Sequence, residues 1–285
     1  MSSTNTRKNG ITAAVLTAFL VAATPLTSHA TTLESLTEKG SVRVGYASEA
    51  PFAFATPDGV VTGESPEIAK AIFKRLGVQE ATGVLTEWGA LIPGLTAKRF
   101  DVIAAGMYIT PARCKQVIFS DPLSKITDTF LVAPGNPKNL RSYADVAKNP
   151  DAKLAMLAGS VYTKYARDAG INDDQILQVP DATAQLQAIL AGRADAAVST
   201  RLTVKGIAAK GGDKVEAVQD FQDSPDHINY GALAFRPDDT ALRDAVNAEL
   251  KKWLGSEEHR KTVSQFGFDE TNIPDKTAAE VCSRT

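Results

Sequence analysis

Apolar and polar positions alternate along Val42-Arg-Val-Gly-Tyr46, a pattern that predicts a first strand. Phe54 to Gly63, with Pro57-Asp58-Gly59 inside it, reads as a turn. A helix follows, with Ser65 as its cap, Pro66 in its first position, Ile68, Ile72 and Leu76 on one face, and Gly77 closing it. Val84-Leu-Thr86 is a short strand, and Trp88 opens a helical stretch carrying Leu91, Ile92 and Leu95. Asp101-Val-Ile-Ala-Ala105 has the uninterrupted apolar run of a strand buried on both faces. Phe130-Leu-Val132 then runs into the breaker-rich Ala133-Pro-Gly-Asn-Pro137.

A second alternating unit begins there, predicted as strand 153–158, helix 162–169, strand 176–180, helix 183–191 and strand 194–199. The chain returns through Asn229-Tyr-Gly-Ala-Leu-Ala-Phe235. It ends on a helix near 238–254, with Leu242, Val246, Leu250 and Leu254 four apart, and on one capped by Ser256. Such alternation predicts an α/β fold with mostly parallel sheets. Two tandem units with a late return predict two lobes joined by two crossover strands. The first lobe is expected to take 31–131 plus 232–285, and the second 132–231.

Residues 1–30 have the form of an export leader: Arg7 and Lys8, an apolar core from Ile11 to Ala23, then Ser28-His-Ala30. The alternative is a retained anchor, but the apolar run is short for a span. Cleavage would leave a chain two charges more acidic than the whole protein's −2, which argues against a nucleic-acid partner. Export also places Cys114 and Cys282 in an oxidising compartment, where they form either a disulfide or two unpaired thiols. His29, His227 and His259 are scattered, and no cysteine–histidine spacing suits a metal. Neither metal nor cofactor is expected.

The chemistry concentrates in residues 106–122. Tyr108 offers a ring face, Thr110 a hydroxyl and a backbone donor, and Arg113 a fork that suits a carboxylate, with Pro111 fixing the turn between them. Glu49 and Phe52 lie in the loop after the first strand, where open α/β sheets place ligands. Trp88 is a further candidate wall. Gly159-Ser160 falls at a strand-to-helix turn, which brings in Ser160, Tyr162 and Thr163, and Thr200 ends the next strand. Each has a plainer reading. Arg113 could pair with Asp121 or Asp101, Glu49 could be a solvated acid, and Phe52 and Trp88 could be core aromatics.

Several stretches resemble the bacterial extracellular solute-binding proteins of family 3, the polar amino-acid class. They are Val42 to Tyr46, Gly63 to Ile72, Trp88 through Asp101, Ile109-Thr-Pro-Ala-Arg113, Val117-Ile-Phe-Ser-Asp-Pro122 and Leu190-Ala-Gly-Arg-Ala-Asp-Ala196. Glu49-Ala-Pro-Phe52, Thr62-Gly-Glu-Ser-Pro-Glu67, Phe73 to Gly77, Pro111 to Cys114 and Gly135-Asn-Pro137 are most similar to the ectoine and hydroxyectoine binders of that family. The resemblance implies a two-lobed type II periplasmic-binding fold and a cyclic solute held between aromatic rings. By position, Glu49 would face the solute's cation and Arg113 with the Thr110 backbone its carboxylate, while Phe52, Trp88 and Tyr108 would form the walls. Two positions depart from the relatives. No acid follows Ala196 where amino-acid binders carry an aspartate, and Gly159-Ser-Val-Tyr162 replaces the ectoine binders' glycine-rich turn.

The expected function is therefore periplasmic capture of a small zwitterion, ectoine or hydroxyectoine, for an ABC importer. A polar amino acid is the alternative ligand. Expected partners are that ligand and an inner-membrane permease with its ATPase, and a monomer is expected. No Gly-x-x-x-x-Gly-Lys phosphate loop is present, so the ATPase is a separate chain. A periplasmic dehydratase of the same fold would need an acid or base against a carboxylate substrate, which Glu49 alone could supply. A sensor partner for a signalling receptor stays open.

Overall fold

The computed structural model describes residues 1–2, 32–224 and 227–284. The predicted leader falls on residues that lie, Met1 and Ser2 apart, outside that set. Among the described residues no helix is long and apolar enough to cross a membrane.

Two sheets organise the chain. The first has the order Glu80–Leu85, Ser41–Tyr46, Val102–Tyr108, Asn229–Phe235 and Ile118–Phe119, with Ser124–Ile126 also on Asn229–Phe235. The second runs Ile176–Val179, Leu154–Leu157, Ala196–Thr200, Asp128–Val132 and Glu216–Ala217. In each sheet the three strands of the βαβ units are parallel. The strands next to the crossings, Asn229–Phe235 and Asp128–Val132, pair antiparallel to them. The chain thus passes between sheets at Thr127 and again before Asn229. Ile68, Ile72 and Phe73 of helix Glu64–Arg75 are fully buried, as are Val42 and Val102 of the first sheet and Val246 of helix Thr240–Trp253. Each such side chain stabilises the fold by about 1.5–3 kcal/mol relative to exposure.

Several local details differ from the sequence reading. The cap of the 64–75 helix is Gly63, not Ser65. The Ser65 hydroxyl accepts from Gly106 N at 2.9 Å and donates to Glu64 Oε2, so it is committed to tertiary contacts. The 102–108 strand carries on through Tyr108, because Asn229–Phe235 pairs with it there, Gly231 opposite Tyr108. Pro111 opens a short helix, Pro111–Cys114, rather than a bare turn. The segment read as a turn before Gly63 carries a small hairpin, Phe54–Ala55 against Val61–Thr62. Cys114 and Cys282 are joined, which fastens the tail helix Ala278–Cys282 to the helix that carries Arg113.

Candidate functional site

A cavity of about 340 Å3, including its mouth, opens between the two sheets. It is lined by Glu49, Phe52, Trp88, Tyr108 and Arg113 from the first half and by Ser160, Tyr162 and Thr200 from the second, with Ala105, Gly106, Leu157 and Val161 between them. Thr110 and Thr163 of the predicted set fall outside the lining. Thr110 caps the Pro111–Cys114 helix by accepting from Arg113 N, and the Thr163 hydroxyl lies 3.4 Å from Met156 Sδ.

The first-half groups are set by backbone turns. Glu49 and Ala53 bond each other's backbones, closing the loop so that Phe52 points inward. The Phe52 ring packs edge-on against Phe268 and rests on Gly106. A Cβ at Gly106 would lie 2.5 Å from that ring, and its φ of 65° favours glycine, so this strand glycine makes room for the wall. Arg113 is fixed from two sides. One guanidinium nitrogen donates to Tyr108 O at 2.9 Å, and the other reaches Gly159 O across the cleft at 3.5 Å. Its guanidinium carbon lies 5.7 Å from the centre of the Trp88 ring.

Arg113 is 9% exposed, and no described acid pairs with it. Asp101 is committed to Arg43 at 2.8 Å, and Asp121 accepts from Ala278 N, so neither plainer partner is used. Burial pushes the guanidinium down to about 10, still charged at neutral pH. Beside it, Trp88 Nε1 and Ser160 Oγ are buried with no hydrogen-bond partner. This end of the cavity is a set of donors awaiting an acceptor.

The opposite end is rich in acceptors. Glu49 is buried, which raises its carboxyl group's pKa, and its Oε1 accepts from Ser199 Oγ at 2.9 Å and Thr203 Oγ1 at 3.2 Å. Tyr108 and Tyr162, one from each half, both donate to Asp128 Oδ1, at 2.8 and 3.0 Å. Asn229 Nδ2 donates to the other oxygen at 2.9 Å. With their protons committed to Asp128, the two phenol oxygens present only lone pairs toward the cavity. Burial pushes Asp128 well above the usual carboxylate range, and the tyrosine hydroxyls oppose that shift. Three donors are what an ionised carboxylate accepts.

Asp128 was not among the predicted residues, nor were Ser199, Thr203 and Asn229. The available signal was Asp128 itself, the one acid in a strand that is otherwise apolar or threonine. The second-half turn behaves differently from its expected donor role. Gly159 presents its carbonyl to Arg113, and a Cβ there would come within 2.9 Å of Gly89 Cα. Its φ of 75° again favours glycine, so the two turns can close over the cavity. The Thr200 hydroxyl caps helix Arg201–Gly211 while its residue lines the wall.

Similarities to known proteins agree with this arrangement. The sequence profile of the bacterial extracellular solute-binding proteins, family 3, matches residues 42–269. A probable amino-acid ABC transporter periplasmic-binding protein, y4tE of Sinorhizobium fredii, is 35% identical over 263 residues, covering 89% of this chain and 87% of that protein. The crystal structure of EhuB in complex with hydroxyectoine superposes with a TM-score of 0.84 at 37% identity, over 89% of this chain and 98% of that one. AncCDT-1, an ancestral amino acid-binding protein and precursor of cyclohexadienyl dehydratase, gives 0.72 at 30% identity, over 83% and 99% of the two chains. A two-sheet α/β architecture, a cleft between the sheets and a family profile running almost from end to end of the described chain lead to one assignment: the protein belongs to the bacterial extracellular solute-binding proteins, family 3.

Proposed function

We propose that the protein is the substrate-binding component of an ABC importer and that its ligand is ectoine or hydroxyectoine. The observation that carries this reading is the polarity of the cavity. Arg113, which meets no acid, and the unpartnered Trp88 Nε1 and Ser160 Oγ form a donor end, while Glu49 and the phenol oxygens of Tyr108 and Tyr162 form an acceptor end. A small zwitterion with a carboxylate at one end, a delocalised cation at the other and a flat ring between aromatic walls satisfies both. The likeness to EhuB, crystallised with hydroxyectoine, supports the choice.

In this reading the two sheets are lobes, drawn from the sequence as 31–131 plus 232–285 and 132–231, that close over the solute by bending at the two crossings. The protein is exported by its leader, acts as a monomer in the periplasm, and delivers its cargo to a permease driven by a separate ATPase.

A polar amino acid is the second reading, favoured by the descriptions of y4tE and AncCDT-1 and by the altered Gly159 turn. AncCDT-1's link to a dehydratase raises an enzymatic reading, which turnover of an arogenate-like substrate would establish. Calorimetric titration with ectoine, hydroxyectoine, arginine and glutamine separates the ligands. Saturable heat with the ectoines alone is expected, and saturation by the amino acids alone would overturn the ectoine assignment.

A further inference from the structure

A second cavity, of about 190 Å3 including its mouth, lies behind the Phe52 wall. Glu64, Ser124 and His259 line its inner part, and Asp269, Asn272 and Ile273 its outer part. Phe268 also lines it and touches Phe52 on its other side, so the two cavities share a wall. Nothing in the solute-binding function uses this space.

Glu64 is 1% exposed, and one carboxylate oxygen, Oε2, accepts from Ser65 Oγ. The other, Oε1, makes no well-aligned hydrogen bond, and neither does the buried Ser124 Oγ, although that hydroxyl lies near enough to oppose the rise in the carboxyl group's pKa. No basic side chain answers the carboxylate among the described residues. Lys125 turns outward to Asp275, and Arg260 donates to Gly255 O. The His259 ring accepts from Gly255 N through Nδ1, which leaves the proton on Nε2, and burial with the nearby Arg260 lowers its affinity for a second proton. A buried carboxylate without a partner costs several kcal/mol, so it holds either a proton or a cation. A proton alone needs no cavity, whereas this one adds the Ser124 hydroxyl, the Asp269 carboxylate and the Asn272 amide to its walls.

We propose that this second cavity is a site for one small hard monovalent cation of the sodium type, held by Glu64 and Ser124 and reached past Asp269 and Asn272. The side-chain groups with lone pairs to offer are oxygens, since the His259 nitrogen that remains carries its proton, and this suits such an ion and not a softer metal. Among the described residues no histidine, cysteine or carboxylate cluster of metal-holding geometry occurs, which fits a weakly held monovalent ion and not a transition metal.

The test is a thermal melt of the purified protein, without solute, in sodium chloride and in choline chloride of equal ionic strength, above pH 7 so that Glu64 is ionised. A midpoint a few degrees higher in sodium is expected. Glu64→Gln should erase the difference and Ser124→Ala should shrink it. Equal midpoints in the two salts, with stability rising as pH falls through 7, would show a proton in place of the cation. A difference that survives in full in Glu64→Gln, or in Ser124→Ala should the first variant not fold, would place the sodium effect elsewhere on the surface. Either result overturns the proposal.

Discussion

Replacing Arg113 separates binding from folding, and the structure sets the sign of both effects. A solute carboxylate in the donor end would meet a charged guanidinium already held by Tyr108 O and stacked near Trp88. Truncating one partner of such a buried pair costs about 2–5 kcal/mol of affinity. At about 1.4 kcal/mol per decade, Arg113→Met should weaken solute binding roughly 30-fold to more than 1,000-fold. Stability without solute should move little. Because burial lowers the guanidinium from its ordinary value to about 10, the folded state gives up its proton first. The cost of burying that charge is therefore present in full below about pH 10 and is relieved only as pH rises beyond it. Methionine removes this cost and fills the space, while Tyr108 O loses a donor worth about 1 kcal/mol. The solute-free midpoint should stay near that of the parent protein or rise. Arg113→Lys should not restore affinity, since one ammonium cannot make the two-pronged contact. Titration calorimetry beside a solute-free melt measures both quantities. An affinity within threefold of the parent would remove Arg113 from the site, and a collapse of the solute-free melt would make it a structural residue.

Asp128→Asn should weaken solute binding about tenfold while the midpoint falls by only a few degrees, because the amide loses the charge that draws both tyrosine protons to Oδ1 and turns an NH2 where Asn229 Nδ2 needs an acceptor; an unchanged affinity in titration would show that the tyrosines' orientation does not matter. Gly159→Ala should lower affinity and leave a larger radius of gyration in solute-saturated scattering, since its Cβ would strike Gly89; normal closure would refute the contact. In choline, stability should fall by about 3 kcal/mol as pH rises from 4.5 to about 7, because folded Glu64 keeps its proton longer than the unfolded chain does. Glu64→Gln should flatten that slope in denaturant titrations, and a slope that persists would assign it to other groups. Cys282→Ser opens a loop of 168 residues and should lower stability by about 5 kcal/mol on the chain-entropy account, with the melt as readout; a loss under 1 kcal/mol would mean the tail stays docked without the bond.

Elements with strong periodicity were legible in the chain. The return segment 229–235 is a strand over just those residues, and the helices near 162, 183 and 238 start within two residues of expectation. Strong side-chain capping marked other boundaries: Ser256 accepts from His259 N as its position suggested. The misses have a common cause. Ser65 looks like a cap, yet its hydroxyl is drawn to Gly106, distant in sequence, and to the neighbouring Glu64, whose burial only the fold creates. The short strands Ile118–Phe119 and Ser124–Ile126 exist because Asn229–Phe235 passes beside them, more than 100 residues later. At the site, the predicted residues with a chemical identity suited to a ligand came together, eight of them around one cavity. Asp128, Ser199 and Asn229 did not stand out because they act on other side chains, and that role depends on pairings no local pattern encodes.

Glu49 shows how such pairings alter the chemistry of a residue that sequence does single out. Its position after the first strand marks it as the acid for a cationic group. In the structure one of its oxygens is already spanned by Ser199 of the other sheet and Thr203 of the helix that follows it. Those hydroxyls hold the carboxylate against the burial that raises its proton affinity. If the two sheets close over the solute as proposed, the same acid has two partners that depend on one motion. Closure would bring the hydroxyls to Oε1 and leave Oε2 for the solute. A cation arriving at Oε2 favours the ionised form, which accepts from Ser199 and Thr203 more strongly than the protonated one. Solute charge and lobe closure thus stabilise each other through a single carboxylate. At the far end Arg113 links to Gly159 O in the same closed geometry. Each pole of the cavity is completed by a contact across the cleft, so a ligand must satisfy both poles to gain the full effect of closure. In the proposed function, that requirement would select for a zwitterion over a simple acid or base.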